Sequence, residues 1–375
     1  MKGKLLRCPV PFGLLGMLAL VILIESALSI GGKFTNDSAE TWRIKQSQTG
    51  REALTSDVLF FGDSLVEYGL VPKVFEERLN RRSFNLAVPA GTPETSYFLL
   101  RQAIDSGARP SRVVVNFMPF QLAPPPYLDE IRIRLWPELA GMRDVFDLAW
   151  SKRKPDVATT IWMAQILTSY RARTEIRASI VAALQGRSMV GDETRVFVTR
   201  WNLRSNRGAL VVPDMMRVAD TFGRHLPQLE TTERQPRAVA FVTRFLQLAV
   251  THGITVYWLI PPISPEYQAG CDEVGSTDDY SRFVRFVQSK YPNVVAIDAR
   301  HAGYTPDLFA DGMHLTRRGA TALSESVAAV MERPVGSDRL VNLPRYRERP
   351  ASPAIEDILE SRIAIGLVPS PGVRR

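Results

Sequence analysis

Val58-Leu59-Phe60-Phe61-Gly62-Asp63-Ser64-Leu65 decides how the rest of the chain reads. Four apolar residues rich in β-formers predict a buried strand that stops at a glycine. Behind it, Val66, Leu70, Val74, Phe75 and Leu79 predict an amphipathic helix from Val66 to Asn80, in spite of Gly69 and Pro72. Ser64 therefore stands where a parallel strand hands over to a helix. Open α/β sheets bind ligands at that carboxyl edge, and the amides of a helix start favour developing negative charge. A plain turn with a helix cap would also account for Gly62-Asp63-Ser64.

Asp311-Gly312-Met313-His314-Leu315, far downstream, tips the balance towards chemistry. A serine nucleophile needs a base, and the base needs an acidic partner to fix its tautomer. Asp311 and His314 supply both on one short loop, ahead of a predicted helix through Leu323, Val327 and Val330. With Gly62-Asp63-Ser64-Leu65 near one end and Asp311-x-x-His314 near the other, the chain resembles the GDSL or SGNH hydrolase superfamily. Asn85-Leu86-Ala87-Val88-Pro89-Ala90-Gly91-Thr92 is similar to the second block of that family. The resemblance implies a three-layer, flavodoxin-like α/β fold around a central parallel sheet. It also implies Ser64, His314 and Asp311 as the catalytic triad, with the Gly91 amide in the oxyanion hole.

The third block departs from the pattern. In place of a Gly-x-Asn-Asp turn the sequence has Asn116-Phe117-Met118-Pro119-Phe120-Gln121, with the asparagine slightly early. Asn116 either replaces the family's oxyanion donor or satisfies local backbone groups. This departure, the Asn-Leu-Ala-Val block and the Pro261-Pro262 turn resemble a membrane-anchored branch of the superfamily. That branch includes alginate O-acetyltransferases and the D-alanyl-transfer proteins of teichoic acids.

At 375 residues the chain has room for a large core, and 45% apolar with 23% charged residues is a globular balance. The net charge of +8 is spread without a dense block, so it reads as surface bias and no nucleic-acid partner is expected. Lys2, Lys4 and Arg7 precede an apolar segment ending near Ile30, long enough to span a bilayer. Residues 1–30 read as a signal anchor with the catalytic domain extracytoplasmic. Cleavage at Ala27-Leu28-Ser29 is the alternative. The two cysteines, Cys8 and Cys271, would then lie on opposite sides of the membrane, and neither has neighbours that suggest a metal site. Of four histidines, His225, His252 and His301 lack an acidic partner at short spacing.

Residues 31–56 read as a linker or short helix, and residues 57–333 as the SGNH hydrolase-like domain. Five parallel strands are expected near Val58, Phe84, Val113, Thr255 and Val294, alternating with helices. Residues 121–236 are too long for a loop and read as a mostly helical insertion. Val157 to Leu184 carries helical periodicity, with Arg171, Arg173 and Arg177 along it, and Arg195 to Val198 suggests a short strand. The insertion is either a solvated appendage or a cap over the Ser64 edge. Residues 334–375, rich in proline and arginine, read as a surface tail.

Three functions are compatible with this reading. One is a membrane-anchored transferase that O-acylates an extracytoplasmic polysaccharide, supplied with acyl groups by a membrane-bound partner. Another is an esterase or deacetylase using the same residues. The last is a non-catalytic carbohydrate-binding or assembly protein. Neither enzymatic route calls for a metal or an organic cofactor.

Overall fold

β1 (Val58–Phe61) is buried along its whole length, and the sheet grows outwards from it on both sides. Its neighbours are β2 (Ser83–Asn85) and β3 (Arg112–Val115), followed by β4 (Thr255–Ile260), β5 (Val294–Asp298) and β6 (Leu340–Asn342). All pairings are parallel, in the order β2-β1-β3-β4-β5-β6. The first five strands follow the flavodoxin-like order, whose direction of winding reverses beside β1. Ser64 directly follows β1, so it lies in the crevice that this reversal opens. The structure is a computed structural model that describes residues 12–31, 37–123, 132–133, 135–152, 155–186, 190–216, 234, 236–334, 339–348 and 355–367. Lys2, Lys4, Arg7, Cys8 and His225 lie outside the described residues.

The helices before the insertion are α1 (Phe12–Gly31), α2 (Asp37–Thr49), α3 (Ser64–Gly69), α4 (Pro72–Leu79), α5 (Pro93–Asp105) and the single turn α6 (Pro119–Leu122). The insertion holds α7 (Met142–Lys152), α8 (Pro155–Ile166), α9 (Thr168–Arg171), α10 (Arg173–Leu184) and α11 (Val190–Ser205). The sheet is completed between α12 (Pro236–Thr251), α13 (Pro265–Glu273), α14 (Ser276–Lys290), α15 (Arg317–Met331) and α16 (Ile358–Ala364). Successive side chains of a strand face opposite ways, and the core divides accordingly. Leu59, Phe61, Val113, Val115, Val256 and Trp258 pack under α5, α12 and α14. Val58, Phe60, Val114, Tyr257 and Leu259 pack under α3, α4 and α15. The result is a three-layer α/β fold.

Several expectations change at this level. The single helix read from Val66 to Asn80 is two helices, because the residue before Pro72 is driven out of the helical region; Val71 is extended at φ −101°, ψ 107°. Of the two readings of residues 31–56, a linker or a short helix, the helix describes residues 37–49, which form α2 with Trp42 and Lys45 fully buried. The short strand at Arg195 to Val198 is instead helical, within α11, where Val196, Thr199, Asn202 and Leu203 make a buried face of helical period. The tail assignment is also corrected: β6 adds a sixth strand against β5, Ile355 is buried and α16 follows.

α1 is 20 residues long. It is long and apolar enough to cross a membrane, and none of its apolar stretch from Phe12 to Ile30 is buried in the protein.

Candidate active site

The nucleophile turn is built by glycine and by two buried asparagines. Gly62 ends β1 at φ +138°, a conformation glycine adopts readily and other residues do not. Asp63 caps α3 by accepting a hydrogen bond from the Leu65 amide (2.9 Å). Asn116, at the end of β3, clasps that cap from both ends. Its Oδ1 accepts from the Asp63 amide (3.3 Å) and its Nδ2 donates to Asp63 Oδ1 (3.0 Å). Asn85 fixes the other end of α3, donating to the carbonyls of Val66 and Leu70 at 2.9 Å each. Ser64 is thereby held as the first residue of a short, rigid helix.

The base approaches from the opposite half of the chain. Phe309 and Leu315 pair across an antiparallel bridge and pinch off the loop between them. Within it Asp311 Oδ1 accepts from the Met313 and His314 amides, both at 2.7 Å. Asp311 Oδ2 accepts from His314 Nδ1 (2.7 Å), and His314 Nε2 lies 2.8 Å from Ser64 Oγ. A carboxylate on Nδ1 puts the imidazole proton there and leaves Nε2 free to accept from the serine. Burial pushes the Asp311 carboxyl up, but the His314 hydrogen bond and charge, with the two amides, outweigh it and hold the group below the usual carboxylate range. Asp311 is therefore ionised throughout the neutral range. The Ser264 amide braces the loop by donating to the Gly312 carbonyl (2.9 Å).

The structure thus brings Ser64, His314 and Asp311 into one hydrogen-bonded line. The expected oxyanion donors do not join them so simply. The Gly91 amide donates to the Val88 carbonyl (3.0 Å), closing a turn. Glycine is required there because a Cβ would come within 2.2 Å of the Gly62 carbonyl oxygen. Asn116 is fully buried and bonded to Asp63 at both ends, so of its two readings the local one describes this geometry. The Ser64 amide takes no acceptor among the described residues, which leaves it available to an oxyanion.

Gly62→Ala tests this scaffold. A Cβ there would lie 1.8 Å from Asn116 Oδ1. With the unfavourable φ added, the variant should lose about 3 kcal/mol in urea unfolding. Its activity should fall as Asp63 and Ser64 shift.

Other residues around the triad carry no motif. Tyr68, one turn along α3 from the nucleophile, packs its ring 4.9 Å from that of His314. A cavity of about 490 Å³ opens beside Asp311 and His314, lined in part by Ser38, Thr41, Tyr68, Arg195 and Arg362. α2, α11 and α16 contribute most of this polar wall, so α11, from the insertion, overhangs the site. Beneath the nucleophile, Glu67 on α3 is fully buried 3.8 Å from Lys45 Nζ on α2. Lys45 also donates to the carbonyls of Asn85 (2.8 Å) and Gly208. Burial pushes the Glu67 carboxyl up to about 7 and the Lys45 ammonium down to about 8. Each resists the shift in the other.

No family model matches the chain, and no curated protein matches it.

Proposed function

We propose that the chain is a serine-dependent acyl-transfer enzyme of the GDSL or SGNH type, an O-acyltransferase that acylates an extracytoplasmic polysaccharide. One observation carries this reading: Ser64 Oγ, His314 Nε2, His314 Nδ1 and Asp311 Oδ2 stand in an unbroken chain of 2.8 and 2.7 Å contacts. In the first half-reaction Ser64 Oγ attacks the donor's ester carbonyl while its proton passes to His314 Nε2. The Ser64 amide steadies the oxyanion. His314 then returns the proton to the departing alcohol, leaving the acyl group on Ser64. In the second half-reaction an acceptor hydroxyl gives its proton to His314 and attacks the acyl-enzyme, which frees Ser64 and forms the new ester.

The hydroxyls of Ser38, Thr41 and Thr199 and the guanidinium groups of Arg195 and Arg362 line the cavity and suit a hydroxyl-rich acceptor. The positive-inside bias of Lys2, Lys4 and Arg7 supports a domain outside the cytoplasm; a membrane-bound partner delivering acyl groups is part of the proposal. Hydrolysis is the second reading, favoured by the 19% exposure of the His314 side chain, which lets water reach the acyl-enzyme.

A fluorophosphonate probe on the full-length chain tests the common step. Ser64 should label covalently and Ser64→Ala should not. A chain that stays unlabelled while folded is a binding or assembly protein. Partition of a p-nitrophenyl acetate acyl group between water and an added oligosaccharide then separates transferase from esterase.

A further inference from the structure

α1 does not stand apart from the domain it precedes. Its Glu25 carboxylate accepts hydrogen bonds from the Ser169 amide (3.0 Å) and the Ser169 hydroxyl. Ser29 Oγ meets Thr168 Oγ1 at 2.7 Å. The short helix α9 is thus fastened to the last turns of the apolar helix. At 1.5 Å per residue the axis climbs about 26 Å from Phe12 to Ser29, close to the far side of a hydrocarbon layer of about 30 Å. With α1 across a bilayer, α9 sits at the depth where acyl chains give way to headgroups.

The helices on either side of α9 are built for that depth. Trp150 on α7 is 85% exposed, Ile166 at the end of α8 is 77% and Leu184 on α10 is 83%. On α10 the spacing of Arg173, Arg177, Ile180 and Leu184 puts all four along one stripe. All four are exposed. Aliphatic tips beside guanidinium groups on one helix face are what a lipid–water interface selects: the apolar ends enter the acyl boundary while the cations reach phosphate. A freely solvated face has no use for the isoleucine and leucine.

We infer that the insertion is a membrane-seating platform, in which the α10 stripe and the exposed apolar residues of α7 and α8 rest on an anionic phospholipid surface beside α1. The occupant is lipid because the face is continuous with the segment that crosses the bilayer and carries positive charge.

Tryptophan scanning of the full-length chain in vesicles of phosphatidylcholine and phosphatidylglycerol tests this. In brominated lipids, Leu184→Trp should lose about half of its added emission, as an interfacial residue does. Phe286→Trp, on α14 and 57% exposed in the parent chain, should lose almost none. Arg173→Glu with Arg177→Glu should cut the Leu184→Trp quenching severalfold, while vesicle flotation shows α1 still inserted. Equal quenching at the two positions overturns the proposal. So does a blue-shifted Leu184→Trp emission that lipid bromines leave untouched, since a second copy or another protein would then cover the face.

Discussion

Ser64→Ala should lower kcat for p-nitrophenyl acetate by roughly a million-fold, the scale at which a nucleophile in a working triad is lost. The far-ultraviolet circular dichroism should not change, because Ser64 holds α3 in place only through its backbone. His314→Ala should cost about as much, since nucleophile and base act as a unit and neither works alone. Asp311→Asn separates orientation from charge. The amide oxygen can still accept from the Met313 and His314 amides, which Asp311 Oδ1 does at 2.7 Å. The amide nitrogen, however, would face His314 Nδ1 as a donor and drive the imidazole proton to Nε2. That tautomer cannot accept from Ser64, and a loss of about 10⁴-fold in kcat is expected. Steady-state kinetics of the three variants check the order. Full activity in Ser64→Ala removes the assignment.

Lys45→Met should be strongly destabilising although Lys45 belongs to neither hydrophobic layer. It leaves Glu67 buried without the ammonium 3.8 Å away and strips the donor from the Asn85 and Gly208 carbonyls. Breaking a buried pair from one side costs about 3–5 kcal/mol. The pH dependence follows from the two shifts. Glu67 is raised from 4.5 to about 7, so its stabilising contribution is complete below pH 4.5 and is lost as pH rises through 7. Lys45 is lowered from 10.5 to about 8, so its contribution is complete above pH 10.5 and is lost as pH falls through 8. Lys45→Met keeps only the first of these, and its deficit relative to the parent should widen from pH 6 to pH 9. Lys45→Met with Glu67→Gln should recover most of the loss and flatten the profile. Urea unfolding of the detergent-solubilised chain at the two pH values measures both effects. A deficit that narrows towards pH 9 contradicts the assignment.

The parts of this molecule that could be read from sequence are those whose signal is local. β1, β3 and β4 are unbroken apolar runs stopped by Gly62, Asn116 and Pro261, and runs of that kind have few alternatives in a chain. Ser64 and the Asp311–His314 loop carry their chemistry in their side chains. Three things were hidden for physical reasons. α2 looks polar because two of its charged residues, Glu40 and Lys45, find partners only after folding; Arg43 and Arg200 bind Glu40 at 2.9 and 2.6 Å. β6 is three residues long, and its place in the sheet rests on the register Ala296–Leu340 to Asp298–Asn342 with β5. Oxyanion donors are backbone amides, which every residue has. Gly91 was legible as a special position but not as a spacer, and for Asn116 the local of its two readings describes the fold.

The separation of Ser64 and His314 by 250 positions has a biosynthetic consequence. A chain made from its N-terminus carries the nucleophile long before its base has been polymerised. The contact that closes the site needs α15 seated on α3 and α4, where Ser324 Oγ accepts from the Val71 amide at 2.9 Å. A nascent chain therefore presents Ser64 as an ordinary alcohol, and the proposed acyl transfer requires that the C-terminal third has emerged and docked.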